Sequence, residues 1–213
     1  MLFGAVAIIG LAAAKQDCTI RDAETARKLD LDACRPEPIS TLEKAAVLDS
    51  LPVEGAVTHF STGERRKIEA LDPVLRAQSR KGVYKVIIIT VPQAWTGLHA
   101  RAVLLISLPA LALLTSEELQ AVVAHEIGHE YVWQQYESAR TRKDAKRLRE
   151  LELVCDAIAI ATLRRIGVAP ERLESACEKV YSYNRERLGV ALNDDIYPSL
   201  KARRQLIKEM TNP

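Results

Sequence analysis

At 213 residues the chain can bury one substantial core with a small appendage, and it is short for two full domains. Apolar residues make up 48% and charged residues 27%, an ordinary globular balance without repeats or low-complexity linkers. The net charge of +2 gives no reason to invoke nucleic acid, because such binders carry a clustered basic face. The single basic run, Arg140 to Arg149, is interrupted by Asp144 and reads as a solvated helix face.

Leu2 to Ala14 is an unbroken apolar run ending in Ala12-Ala13-Ala14. It is shorter than the roughly 20 residues that span a bilayer. It matches the apolar core of a secretory signal with small residues at a cleavage site, although no basic segment precedes it. A buried N-terminal helix is the other reading. The four cysteines, Cys18, Cys34, Cys155 and Cys177, form no C-x-x-C pattern, so a thiolate zinc knuckle is not expected. In an exported protein they suggest two disulfides; Cys18–Cys34 with Cys155–Cys177 is the local pairing, and three connectivities stay open. Four buried free thiols in a cytosolic protein are the alternative.

An N-terminal helical extension is expected over residues 15–61, with short helices over Asp22–Asp32 and Thr41–Leu51 around the Pro36 and Pro38 break. Thr62–Gln78 follows as one amphipathic helix, with Ile68, Leu71, Val74 and Leu75 on one face. Tyr84–Val91, rich in β-branched residues between Gly82 and Pro92, predicts a strand, and Arg101–Ser107 a second. Trp95 and Gly97 between them mark a turn or an irregular edge. Thr115-Ser116-Glu117-Glu118 opens a helix running to about Ser138, with an N-cap and an acidic first turn. Further helices are expected over Ala145–Ile166, ending at Gly167, then Glu171–Leu188 and Pro198–Met210. Helices, a small sheet and helices again make an α+β domain, placed at residues 62–213.

The chemistry lies in the run Ala121 to His129, A-V-V-A-H-E-I-G-H. On a helix, positions i and i+4 share a face, so His125 and His129 can present both imidazoles to one metal ion. Glu126, next to the first ligand, can reach a water at that metal and take its proton as it attacks a carbonyl. Gly128, a poor helix residue, marks close approach of something to the backbone. A catalytic zinc usually takes a third protein ligand and keeps one position open. The metzincin pattern would need glycine and histidine where the chain has Val132 and Gln135, so that class is excluded. Glu152 and Asp156, four apart where the next helix turns apolar, supply a ligand and an orienting carboxylate. Glu150 competes for the third position but has Val154 rather than an acid four residues on.

Taken together these motifs resemble the M48 family of gluzincin zinc metallopeptidases, from about Ile68 to the C-terminus. The markers are Leu119 to His129, the pair Glu152 and Asp156, and the tail Tyr197-Pro198-Ser199-Leu200-Lys201-Ala202-Arg203. The resemblance implies a mostly helical zincin-like fold with one zinc per chain held by His125, His129 and Glu152, and Glu126 as the base. It also implies an edge strand over Gln93–His99 on which an extended peptide lies, with Ala94 and Trp95 as substrate contacts and Arg203 as either a substrate contact or a structural residue. Two departures stand out. The family's Asn-Ala-Phe is Gln93-Ala94-Trp95 here, and its His-Pro is Tyr197-Pro198. The Tyr197 phenol can donate to the oxyanion of a tetrahedral intermediate, or serve structure alone.

The expected function is therefore a zinc-dependent endopeptidase acting on peptide or protein substrates. It would be exported to a bacterial periplasm or cell envelope, without a transmembrane span and compatible with peripheral attachment to a membrane. The alternative is a non-catalytic module of the same fold acting as a chaperone or scaffold in the envelope.

Overall fold

The computed structural model describes residues 18–51, 55–189 and 196–211, so the apolar leader lies outside the described residues. The fold is α+β and mostly helical. Helices α1 (Ala23–Arg27), α2 (Thr41–Ser50), α3 (Thr62–Glu69) and α4 (Asp72–Ala77) precede strands β1 (Lys85–Ile89), β2 (Thr96–His99) and β3 (Val103–Ser107). Helices α5 (Leu108–Leu113), α6 (Ser116–Tyr131), α7 (Trp133–Thr141), α8 (Ala145–Arg165), α9 (Glu171–Leu188) and α10 (Leu200–Thr211) follow.

The sheet is ordered β1-β3-β2, with β1 parallel and β2 antiparallel to the central β3. Residues Val103, Leu104 and Ile106 are almost wholly buried, as a central strand requires. The outer edge of β1 is covered by a bridge from Ala56, with the Val57 amide donating to the Ile88 carbonyl at 2.8 Å. The Ser107 amide bonds the Trp95 carbonyl, and the Ala102 amide the His99 carbonyl. By strand alternation Gly97 also faces β3, which leaves the backbone groups of Thr96 and Leu98 on the open edge.

Helix α6 is central. It is buried from Glu118 through Gly128, with an apolar and small-residue surface all round rather than one stripe. Thr115 and Glu118 form a reciprocal capping box at its start. Glu118 also accepts from Ser175 Oγ at 2.6 Å and Lys179 Nζ at 2.8 Å, pinning α9 to the same end. Burial would raise its pKa, but the Lys179, Ser175 and Thr115 hydrogen bonds outweigh that and hold it at about 2, against an ordinary 4.5. Because the folded value is depressed, this stabilisation is complete above pH 4.5 and is lost as pH falls toward 2. In Lys179→Met the acid limb of the stability curve should become shallower over that window, as read by urea unfolding at each pH.

Several expected elements are redrawn. The single helix over 62–78 is two, α3 and α4, because Pro73 has no amide to continue the ladder and sits in the first turn of α4. The long helix expected to reach Ser138 stops at Tyr131; Val132 leaves helical geometry at φ −122° and α7 resumes in a new direction. Of the two readings for Trp95 and Gly97 the edge holds, and the strand expected over Gln93–His99 is shorter, since β2 begins at Thr96. Helix α5, capped by Ser107, was not foreseen.

Cys18 and Cys34 form a disulfide, while Cys155 and Cys177 are free, buried thiols, so the second local pairing is not made. Cys155 points instead at a histidine of α6, as described below. The disulfide loop carries α1 onto α8, and its carbonyls are gripped from the domain. Gln135 Nε2 donates to the Ile20 carbonyl at 3.0 Å, Arg147 Nη1 to Arg21 at 2.7 Å and Tyr131 Oη to Leu31 at 3.3 Å. Arg80 donates to the Pro36 carbonyl at 2.6 Å, and Arg101 to that of Glu37. Arg80 also forms a buried ion pair with Glu130 at 2.6 Å. In the basic run, Arg140, Arg142 and Arg147 bond Glu137, Ser138 and Glu150, as a solvated helix face would.

Candidate metal centre

His125 and His129 sit one turn apart on α6, their ring centroids 5.1 Å apart and edge to face. Helix α8 crosses α6 against Gly128. A Cβ there would lie 2.9 Å from Cys155 Cα and 3.0 Å from its carbonyl oxygen. The approach inferred from that glycine is thus the α8 backbone, and it carries Glu152 into place. Gly128→Ala should force the two helices apart and cost about 1–3 kcal/mol. The check is thermal unfolding; an unchanged melting temperature would mean that the contact is loose.

One ligand atom from each of His125, His129 and Glu152 lies within 4.8 Å of the others, so this buried group could hold a metal ion. His125 Nε2 is 3.1 Å from Glu152 Oε2, and His129 Nε2 is 3.9 Å from Glu152 Oε1. Tyr136 Oη donates to Glu152 Oε1 at 2.7 Å. Asp156 Oδ1 accepts from His125 Nδ1 at 2.8 Å and also pairs with the buried Arg203 guanidinium. Glu150, the rival ligand, turns outward to Arg147 at 3.0 Å and is absent from the cluster.

Two features test the fit of a cation. With its Nδ1 proton given to Asp156, His125 presents an Nε2 lone pair directly to a carboxylate oxygen. Apart from that imidazole, Glu152 Oε2 is a buried oxygen with no hydrogen-bond partner. Two facing acceptors, shielded from water, need a proton or a metal between them. Burial favours neutral His125, but its hydrogen bonds to Asp156 and Glu152 outweigh that and raise its pKa well above the ordinary value. For His129, burial wins and the pKa falls. Burial likewise opposes ionisation of Glu152, yet the His125 bond and both imidazoles hold it at about 2. The donor set, two imidazoles and one carboxylate, suits a divalent transition metal such as zinc or iron(II).

Glu126 is beside this group without belonging to it. Its Oε2 is 4.0 Å from His129 Nε2, and its Oε1 accepts from Thr96 Oγ1 of β2 at 2.8 Å. Both Glu126 and Glu152 line a cavity of about 340 Å³ whose lining is in part apolar, with Val122, Leu173 and Val180. Tyr197 stands on the same cavity, its pKa pushed up to about 12 by burial and by Glu152 and Glu126. Arg203 reaches the cavity lining, but its guanidinium is committed to Asp156 and only 3% exposed.

Ala94 and Trp95 also line the cavity, in different ways. Trp95 is a large exposed aromatic whose ring lies over Gly97, and its amide donates to Ser107 Oγ at 2.8 Å. Ala94 is buried, and both of its backbone groups are held by Asn184 of α9. Its amide donates to Oδ1 at 2.8 Å, and its carbonyl accepts from Nδ2 at 2.9 Å. The side-chain amide thus does for Ala94 what a neighbouring strand would, and the open edge of β2 begins at Thr96.

Three contributors escaped the sequence reading: Thr96, Tyr136 and Asn184. None carries a spacing signal. Asn184 lies 90 positions from Ala94, and Tyr136 lies 16 from Glu152 on a different helix.

The fold and this cluster of two histidines and a glutamate define a helical α+β protein with a buried group able to hold a metal ion. Neither the models of known protein families nor the curated proteins give a match to the chain.

Proposed function

We propose that this chain is a zinc-dependent endopeptidase of the gluzincin type, built on a zincin-like fold and belonging to the M48 family. The observation that carries the reading is the placement of Glu126. It is a carboxylate outside the ligand group, within 4.0 Å of one ligand nitrogen, held by Thr96 and facing the cavity.

His125, His129 and Glu152 would hold the zinc ion. When bound, the ion supplies Lewis acidity that brings the pKa of water at the site to about 7. Glu126 takes the proton of the attacking water and returns it to the leaving amine. The Thr96 hydroxyl keeps that carboxylate turned toward the cavity. Tyr197 keeps its proton far above neutral pH and can donate it as a hydrogen bond to the developing oxyanion. An extended peptide pairs with the open backbone groups of Thr96 and Leu98, and the apolar part of the lining accepts an apolar side chain beside the scissile bond. The Cys18–Cys34 disulfide supports an exported setting. Among the described residues no helix is long and apolar enough to cross a membrane.

The test is metal stoichiometry of the purified protein, wild type beside Glu152→Ala and Glu150→Ala, with cleavage of an unfolded protein before and after chelation. One zinc per chain, lost in the Glu152 variant and kept in the Glu150 variant, is expected, with cleavage abolished by chelator. A wild type that takes up no zinc overturns the reading. One zinc with no cleavage of any unfolded protein favours a non-catalytic chaperone or scaffold, for which the Tyr197 replacement speaks.

A further inference from the structure

We propose that Cys155 is the positioning residue of His129. Its sulfur accepts the His129 Nδ1 proton and so keeps the Nε2 lone pair turned toward Glu152, as Asp156 does for His125. This rests on reading the cluster as a metal centre.

Cys155 is fully buried, is not in a disulfide, and places Sγ 3.4 Å from His129 Nδ1, within reach of a hydrogen bond to sulfur. The other ring nitrogen, Nε2, faces Glu152 Oε1 and Glu126 Oε2. A histidine that offers a lone pair at Nε2 must carry its proton at Nδ1. The sulfur is the acceptor placed to take that proton in an otherwise water-shielded position. Tyr136 packs edge-on against the same ring at 4.6 Å, fixing its plane while the sulfur sets its rotation and tautomer.

The arrangement has a simple origin in α8. Positions 152, 155 and 156 are related as i, i+3 and i+4, so one helix face delivers the carboxylate ligand and the acceptors for both imidazoles. Gly128 is what lets that face come close enough, since it leaves room for Cys155 directly beneath α6. The two acceptors differ in kind. Asp156 is a carboxylate tied to Arg203, whereas Cys155 offers a large, soft and weaker acceptor. His129 is therefore the less firmly held of the two imidazoles.

Zinc affinity measured by chelator competition tests this on wild type, Cys155→Ala and Cys155→Ser, alongside nitrogen-15 histidine NMR of each zinc-loaded protein. The alanine variant should bind zinc about 10–100-fold more weakly. Serine, with a shorter reach to Nδ1, should fall between. In the wild type the Nδ1 protons of both His125 and His129 should be protected from exchange. The alanine variant should lose only that of His129. A folded alanine variant with wild-type affinity and a protected His129 Nδ1 proton would overturn the assignment while leaving the metal centre intact. Should the alanine variant fail to fold, a serine variant with wild-type affinity and no His129 Nδ1 signal would overturn it equally. Failure of the wild type to take up zinc removes the metal centre itself, a separate result.

Discussion

Replacing Glu126 with glutamine should leave zinc content and melting temperature at wild-type levels and lower kcat/KM for peptide cleavage by about 10²–10⁴-fold. The substitution is nearly isosteric, and a glutamine oxygen can still accept from Thr96 Oγ1, so the side chain keeps its place. What disappears is basicity, which neither the ligands nor Tyr197 can replace. Each tenfold loss corresponds to about 1.4 kcal/mol of transition-state stabilisation, so the whole effect is about 3–5 kcal/mol. Single-turnover cleavage with matched metal loading is the measurement. A variant that cleaves at the wild-type rate would end the assignment of Glu126 as base, and one that loses zinc would move it into the ligand group.

Arg203→Met should destabilise the protein by about 3–5 kcal/mol. Arg203 and Asp156 are 3% and 1% exposed in their side chains and contact each other directly. Removal of the cation leaves a buried carboxylate with only His125 Nδ1 as a partner, and Asp156 Oδ2 already lacks a hydrogen bond. The double variant Asp156→Asn with Arg203→Met should recover part of the loss, because the orphaned charge is gone. Urea unfolding of the two single variants and the double variant gives the cycle. If Arg203→Met unfolds with the wild type, water or another group must reach Asp156, and the burial argument fails. The position thus reads as support for the His125–Asp156 bond, through a guanidinium already committed within the protein.

The parts of the site that were legible in the amino-acid order are those written within a single helix. His125, Glu126 and His129 share α6, and Glu152 and Asp156 share α8, so helical periodicity alone puts each set on one face. Gly128 was legible for the same reason: a costly residue in a buried helix has to make room for something. What was not legible depends on contacts between distant elements. No glycine or proline marks the helix break at Val132, and nothing near Tyr136 announces its bond to Glu152. The composition of Thr96–His99 does not announce a strand either, and only the resemblance put one there; β3 imposes that pairing on Gly97 and its neighbours. Of the local cysteine pairing, Cys18–Cys34 holds and the second pair failed for a related reason. Nearness in sequence favoured Cys155 with Cys177, but α8 turns Cys155 toward His129.

The segment from Ile20 to Glu37, which contains most of the loop closed by Cys18 and Cys34, is held largely through its main chain: the acceptors at Ile20, Arg21, Leu31, Pro36 and Glu37 are all peptide carbonyls, and Arg165 adds a side-chain pair to Asp32. Every residue type carries that carbonyl, so outside the buried Ile20 and the paired Asp32 the clasp is indifferent to spelling and sensitive to length. Exposed positions such as Arg21 and Glu37 can drift freely, whereas insertion or deletion of one residue between them would slide every carbonyl out of register with Gln135, Tyr131, Arg147, Arg80 and Arg101. Among relatives of this chain, the segment should therefore be hard to recognise by its letters and easy to recognise by its count.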